Sequence, residues 1–580
     1  MPLKTVSSLF AFLLTAIWTA GTAYARPNFV VILVDDGAFM DFGGYGGEAH
    51  TPNINALADQ GVRFSNYHTS PLCAPSRAML LTGLDSHRTG VGTIPEVITP
   101  EQKGQPGYEL RLLPEVETVA ETLKTAGYQT YMTGKWHLGQ DQNDLPNRHG
   151  FDRSFVLDAS GADNWEQKPF MPLYEYAPWF EDGEPATLPD DFYSSRFLVD
   201  KMIQYLGERD TAQPFFAYVA FQAIHIPVQA PREFTDKYVG VYAQGWDALR
   251  EQRFDRAKQL GLIPETASPP EPHPDLRPWH SLSQEEKEHY ERSMMVNAGM
   301  LEAMDFHIGR LVDDLKKQDV LDNTIFIITS DNGAEFNDPI EDTVFKLWMR
   351  ANDYHTDVEG MGERGSMVAI GTEWASAAAA PGSLFKMYAS EGGTRVPLIV
   401  SGPGIDPKGF TKARSFVTDI APTIIDMAGL PVSETMNGRS LSPVLTNAES
   451  EVYGDDESVG LEVAGNAALF KGQFKLTRNT KPHGDATWRL HNIVDDPGET
   501  IDLSKQETEL HQEMLSDYNR YAADLKVVAL PADFDVQAQI GHNARAKMLR
   551  RHMFTVAVVG VLFCGLIFVL FRFTRKLWRR

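Results

Sequence analysis

Asn28-Phe29-Val30-Val31-Ile32-Leu33-Val34-Asp35-Asp36-Gly37 is an apolar run that stops abruptly at two carboxylates and a glycine. Its length and its β-branched content predict a buried strand. Three further runs end in the same manner. Residues 128–133 lead into Gly134-Lys135-Trp136-His137, residues 215–221 into Gln222-Ala223-Ile224-His225-Ile226-Pro227, and residues 324–330 into Asp331-Asn332-Gly333. Between them, helical spacing or flanking signals predict helices over 53–61, 76–82, 116–127 and 297–318. Strands that alternate with helices imply an α/β fold: a large, mainly parallel sheet flanked by helices, with functional groups gathered outside the carboxyl ends of the strands. The four polar clusters are therefore expected to converge, although up to about 300 positions separate them.

Two stretches interrupt this alternation, 238–283 and 335–381, and both read as irregular insertions of the kind that form lids or substrate walls. Beyond about residue 430 the segments shorten. The expected organisation is a catalytic domain over 26–430, a smaller α+β subdomain over 431–525 and a linker over 526–552, with no internal repeats.

The ends carry their own signals. Residues 1–25 have one cation (Lys4), an apolar run and the small-residue ending Ala23-Tyr24-Ala25, the layout of a secretory signal peptide cut before Arg26. Residues 553–571 are 19 uncharged positions, enough to cross a bilayer core of about 30 Å as a helix. The expectation is a single-pass membrane protein with its catalytic domain outside the cytoplasm, on the periplasmic side if the cell is Gram-negative, and a cytoplasmic tail over 572–580.

The net charge is -25. Ten of the 53 Lys and Arg lie in 1–25 and 545–580, and all 78 acids lie between those stretches, so the body carries about -35. Such a surface excludes nucleic acid as a partner, and an anionic substrate would need a locally basic pocket. There are only two cysteines, Cys73 and Cys564, the second inside the expected membrane span. An exported body with a single thiol has no disulfide of its own. A lone thiol is ordinarily a buried small hydrophobe.

The polar clusters hold recognisable chemistry. Asp35, Asp36, Asp331 and Asn332 offer oxygen ligands only, which suits calcium or magnesium better than zinc or copper. Pro75 favours a helix start, which places Cys73 beside free N–H groups that welcome an anion. Arg77, Lys135 and Lys386 are cationic donors for a tetrahedral oxyanion, and His137 and His225 are candidates for proton transfer.

Cys73-Ala74-Pro75-Ser76-Arg77 followed by Thr82-Gly83 resembles the signature of the type I, formylglycine-dependent sulfatases, C-x-P-S-R then T-G. The resemblance extends through Thr51-Pro52-Asn53, Gly134-Lys135-Trp136-His137-Leu138-Gly139, Asp331-Asn332-Gly333, Glu391-Gly392-Gly393-Thr394-Arg395-Val396-Pro397 and Asp496-Pro497-Gly498-Glu499, and is strongest to bacterial arylsulfatases. It implies an alkaline-phosphatase-like fold in which a separate maturation enzyme oxidises Cys73 to formylglycine (3-oxoalanine), hydrated to a geminal diol. One hydroxyl attacks sulfur, and the other loses its proton to expel sulfate. Carried over by position, Asp35, Asp36, Asp331, Asn332 and modified Cys73 hold one calcium, with magnesium as the variant. Arg77 supports the diol and metal side, Lys135 and Lys386 the sulfate oxygens, His137 the diol proton, and His225 the departing alcohol. The implied substrate is a small-molecule or glycan sulfate ester. Two alternatives stand beside this: a phosphonate monoester or phosphodiester hydrolase of the same superfamily, and an inactive, membrane-held binder of sulfated polymers.

Overall fold

The computed structural model describes residues 26–551 apart from 140 and 407. The run that opens the chain is the strand Asn28–Val34, buried along its whole length. Thr324–Ser330 and Phe215–Ala220 pair with it on either side, both parallel, and every residue of these two strands is also buried. Gln129–Lys135 and Arg153–Leu157 extend the parallel block. Parallel strands covered on both faces carry apolar side chains at consecutive positions, which is why these runs are continuous rather than alternating.

The sheet has ten strands and is mixed. Leu398–Ser401 runs antiparallel to Thr324–Ser330 and to Val62–Phe64, with Gly409–Thr411 parallel at that edge. Trp179–Glu181 and Glu184–Pro185 close the other edge as antiparallel strands. The expected parallel sheet therefore describes the centre and not the flanks. Strands of two to four residues have too little period to reveal their direction of pairing.

The helices form packed groups: Ser194–Gly207 and Pro52–Asp59 against Gln284–Lys317, and Cys73–Thr82 with Val119–Thr125 and Ile420–Met427. Cys73–Thr82 is buried at all ten positions and starts three residues before the expected point, with Leu72 as its N-cap. The two insertions also contain regular structure, the helices Gly245–Gln259, Thr343–Ala351 and Gly371–Ala378. The first of these is polar overall and is held by Arg253, whose buried guanidinium pairs with Asp41 at 2.8 Å and Glu48 at 2.7 Å. No local period announces a helix docked through ion pairs.

A separate four-stranded antiparallel sheet, Ser458–Val463, Asn466–Lys471, Phe474–Arg478 and Arg489–Asn492, is covered by the helix Thr508–Asp524 through Met514 and Tyr518. The expected linker is not one. Residues 536–551 are helical and lie against the catalytic body.

The fold class needs one further correction. Among the described residues no helix is long and apolar enough to cross a membrane, and Gln284–Lys317, with ample length, is too polar. The expected span over 553–571 lies outside the described residues, as do the signal peptide over 1–25 and the tail over 572–580. The fold class is thus the α/β body with its smaller sheet, and neither the membrane helix nor the single-pass location drawn from it is retained.

Candidate active site

The chain leaves the three central strands at adjacent points, and this brings the polar clusters together. Asp35 and Asp36 follow Asn28–Val34, and Asp331 and Asn332 follow its parallel neighbour. The Asp36 N–H donates to Asp331 Oδ1 at 3.2 Å, and Asn332 Nδ2 donates to Asp36 Oδ1 at 2.7 Å. Gly333 permits the next turn to close. A Cβ there would meet the Gly392 carbonyl oxygen at 2.0 Å, so the segment Glu391–Thr394 lies directly against the strand end.

The cations come from separate elements. Arg77, one helical turn beyond Cys73, donates to Asp331 Oδ2 from Nε at 2.9 Å, has a second nitrogen 2.7 Å from the same oxygen, and reaches the Lys135 carbonyl at 2.8 Å. Lys135, the last residue of its strand, places Nζ 2.9 and 2.7 Å from the two oxygens of Asp35. Lys386 is far away in sequence, but its N–H donates to the Ala334 carbonyl and the Met387 N–H to Pro71. Its Nζ contacts Asp36 at 2.7 Å and Glu335 at 2.7 Å.

Both histidines are buried. His225 donates from Nδ1 to the Ile226 carbonyl at 2.6 Å, since a carbonyl only accepts. Its Nε2 then carries the free lone pair, 3.9 Å from both Asp36 Oδ2 and Glu335 Oε2. His137 has no hydrogen-bond partner at either ring nitrogen. It adopts a left-handed backbone (φ 57°), as does Asp36 (φ 66°), a conformation that costs energy for a residue with a side chain and collects at functional sites.

The electrostatics follow from burial. Burial raises Asp36 well above the usual carboxylate range against the pull of Lys386, and burial with the charge of Asp35 raises Asp331. Burial opposes the charge on Lys386, yet Asp36, Cys73 and Glu335 hold its pKa well above normal. His137 is pushed well below its ordinary value by burial and by Lys135 and Arg77, and His225 by burial, Lys386 and Lys135. Burial also pushes the Cys73 thiol up to about 12, with Lys135 and Lys386 pulling the other way.

Four carboxylates (Asp35, Asp36, Asp331, Glu335) thus face three cations (Arg77, Lys135, Lys386), with the histidines neutral. Ligand atoms of Asp35, Asp36 and Cys73 lie within 4.8 Å of one another. Asn332 Oδ1 is buried without a hydrogen-bond partner, while its Nδ2 is fully engaged. Oxygen donors, surplus negative charge and an orphaned acceptor fit a hard divalent cation.

All ten residues singled out from the sequence lie in or around this one cluster. Glu335 was missed, because it opens a stretch that has no period. Its signal was modest: an acid two positions past the glycine that ends a strand cluster. Lys386 and His225 hold its pKa down to about 2 in spite of burial. A cavity of about 410 Å³ opens over Cys73, His225, Glu335 and Lys386.

The chain matches the family model described as Sulfatase over residues 27–430, and one described as N-sulphoglucosamine sulphohydrolase, C-terminal, over 382–522. It is 36% identical over 532 residues to an uncharacterized sulfatase of Schizosaccharomyces pombe, covering 88% of this chain and 96% of that one. It is also 36% identical over 439 residues to an arylsulfatase of Klebsiella aerogenes, covering 73% and 92%. The solved structure of Ps i-CgsB with k-i-k-neocarrahexaose shares the fold, with a TM-score of 0.63 and 23% identity over 91% of this chain and 99% of that one. The surplus of buried acids, the cations around Cys73 and these matches lead to one conclusion: the chain belongs to the sulfatase family and is a sulfuric ester hydrolase.

Proposed function

We propose that this sulfatase cleaves sulfate monoesters with a nucleophile made by oxidising Cys73 to formylglycine, beside one divalent cation, calcium with magnesium as the variant. The state of Cys73 carries the reading. A thiol is a nucleophile as its thiolate, and burial disfavours that form here. Residue 73 nonetheless sits at the start of a buried helix, among acids, cations and two unprotonated imidazoles. That setting suits an oxygen nucleophile better than sulfur. Asp35, Asp36, Asp331, Asn332 and converted residue 73 would hold the cation, which when bound supplies positive charge to a sulfate oxygen.

The chain's own groups then divide the work. Arg77 fixes Asp331 and the Lys135 carbonyl, and so orients the acids around the helix start. An ammonium has three N–H donors; Lys386 spends two on Asp36 and Glu335, leaving one for sulfate, and Lys135 serves the same end from the side of Asp35. Neutral His137, with both ring nitrogens unpartnered, accepts the proton from residue 73. His225 presents the Nε2 lone pair to the cavity; once it has taken a proton there from solvent, a form that the Glu335 carboxylate 3.9 Å away favours against burial, it passes that proton to the leaving alcohol oxygen. The division into a catalytic domain over 26–430 and a C-terminal subdomain over 431–525 belongs to the same proposal, as does a separate maturation enzyme.

The test is the mass of the tryptic peptide that contains Cys73. Conversion of –CH2SH to –CHO removes about 18 Da by atomic composition; an unmodified thiol in fully active protein would overturn the mechanism. Competitive turnover of an aryl sulfate against phosphate mono- and diesters separates this reading from a phosphodiester or phosphonate hydrolase, which a large preference for the phosphodiester would favour. Turnover of any ester removes the reading as an inactive binder.

A further inference from the structure

Away from Cys73, two imidazoles and a carboxylate from distant segments meet at one point. His273 and Asp275 stand on a turn in the Pro-rich end of the first insertion, closed by the Leu276 N–H on the His273 carbonyl at 2.9 Å. His483 stands on the connection between Phe474–Arg478 and Arg489–Asn492. That connection is pinned by the Gly484 N–H on the Thr480 carbonyl at 2.9 Å and the Ala486 N–H on the Asn479 carbonyl at 2.8 Å. Although 210 positions apart, the two rings bring their Nδ1 atoms to 3.4 Å, and Asp275 Oδ2 lies 3.5 Å from His273 Nδ1. One ligand atom from each of the three residues lies within 4.8 Å of the other two.

Hydrogen bonding accounts poorly for this meeting. His273 Nδ1 accepts the Asp275 N–H at 3.3 Å, so its proton is on Nε2, and the His483 Nδ1–H points at the same lone pair from 3.4 Å. Both contacts are longer than the roughly 2.7–3.2 Å usual for an N–H donor. Donor atoms held at about 2.0–2.1 Å by a tetrahedral zinc ion stand roughly 3.3–3.5 Å from one another, and the Nδ1–Nδ1 and Nδ1–Oδ2 separations match that spacing. The inner ligand is held in place: Phe385 and Tyr388 pack their rings against His483 at 5.3 and 5.7 Å, and the His483 backbone N–H donates to Tyr388 Oη at 3.4 Å. The Asp275 side chain is 71% exposed, which leaves an ion a path of entry.

We propose that His273, Asp275 and His483 form a second metal site, which takes zinc through the two Nδ1 atoms and one carboxylate oxygen, with water at the fourth position. Imidazole donors favour zinc over the calcium or magnesium suited to the oxygen donors near Cys73. On binding, His483 shifts its proton from Nδ1 to Nε2 and the long Asp275 N–H contact gives way, so that both Nδ1 lone pairs face the ion. The site ties the first insertion to the connection within the C-terminal sheet. Because Phe385 and Tyr388 flank Lys386, it also braces the segment that carries that lysine. The inference is independent of the reading of Cys73.

The test is calorimetric titration of the full-length protein with zinc chloride in excess calcium, which competes for the acids near Cys73. Wild type should take up one zinc ion. His273→Ala should weaken that binding by about a hundredfold or more, and Asp275→Asn, which keeps an oxygen and loses the charge, by about tenfold. Cys73→Ala should bind zinc as wild type does. Zinc at about a hundredfold excess over its Kd should raise the unfolding midpoint of wild type by about 2–3 °C and leave that of His273→Ala where it was. Co2+ in place of zinc should show the intense visible absorption of a four-coordinate ion. Equal zinc uptake by wild type and His273→Ala, uptake that Cys73→Ala removes, or no saturable uptake by wild type would overturn the inference. None of these outcomes touches the sulfatase reading, which the mass of the Cys73 peptide tests separately.

Discussion

Two buried charge clusters in this molecule are built alike and balanced differently. Below the cavity, four carboxylates face three cations, and Asn332 Oδ1 and His137 are left without hydrogen-bond partners. At the seam with the C-terminal sheet, Lys475 Nζ lies 2.8 Å from Glu391 and 3.1 Å from Glu499, Arg395 lies 3.8 Å from Glu391, and His68 is 3.0 Å from the same carboxylate. There two carboxylates face two cations. The consequence shows in the acids: burial wins at Asp36 and Asp331, which are raised, whereas Lys475 and His68 outweigh burial at Glu391 and hold it far below the usual range. The first cluster holds one carboxylate more than its cations match, whereas the second is matched and joins two pieces of chain.

The comparison can be broken most forcefully at its nucleophile. Cys73→Ala should reduce kcat on an aryl sulfate by a factor on the order of 10⁴ or more, with the unfolding midpoint close to wild type; full activity in that variant would refute the mechanism. Chelation of divalent cations should remove activity, and added calcium should restore it, while the seam needs no metal and the C-terminal sheet keeps its circular dichroism. Lys475→Met is the reverse experiment. It leaves Glu391 and Glu499 short of a buried partner and should cost about 3–5 kcal/mol in stability while kcat at low temperature stays near wild type. A large fall in kcat without loss of stability would place the seam in the catalytic machinery.

A smaller effect is expected at Glu335. Glu335→Gln should lower kcat/KM by about tenfold and move the alkaline limb of the pH profile to lower pH, because it removes the carboxylate that favours the protonated, proton-donating form of His225; an unaltered profile would confine Glu335 to placing Lys386. The weakest handle is pH at a second seam contact. His87 lies between Asp85 and Glu462, at 3.2 and 3.1 Å, and although burial opposes its charge, those carboxylates raise its pKa to about 10. Its folded-state pKa lies above the ordinary 6.5, so its contribution is complete below pH 6.5 and fades as pH rises towards about 10. His87→Gln should flatten that part of the stability curve measured by denaturant unfolding.

Much of the site could be read from the sequence because its parts are local. Apolar runs of six or seven residues declare central strands, polar residues at their ends declare where a parallel sheet gathers its chemistry, and the segment from Cys73 to Gly83 declares the family. These features depend on neighbours along the chain. Three others do not. Glu335 gained its place only through Lys386, 51 positions later. The helix Gly245–Gln259 is docked by Arg253 across more than 200 positions. Residues 536–551, within the stretch 526–552 read as a linker, form a helix that turns one face to the cavity and anchors to Glu96 and Ile98. The expected membrane span over 553–571 lies outside the described residues, among which no helix is long and apolar enough to cross a membrane.

Periodicity and motif thus sufficed for the strands, the acids at their ends and the family, since burial on both faces of a sheet dictates side-chain type residue by residue. The pairing of buried charges, and which distant segment walls the cavity, depend on energies between groups far apart in the chain. Those groups become neighbours only after the sheet has assembled, and no local pattern records them.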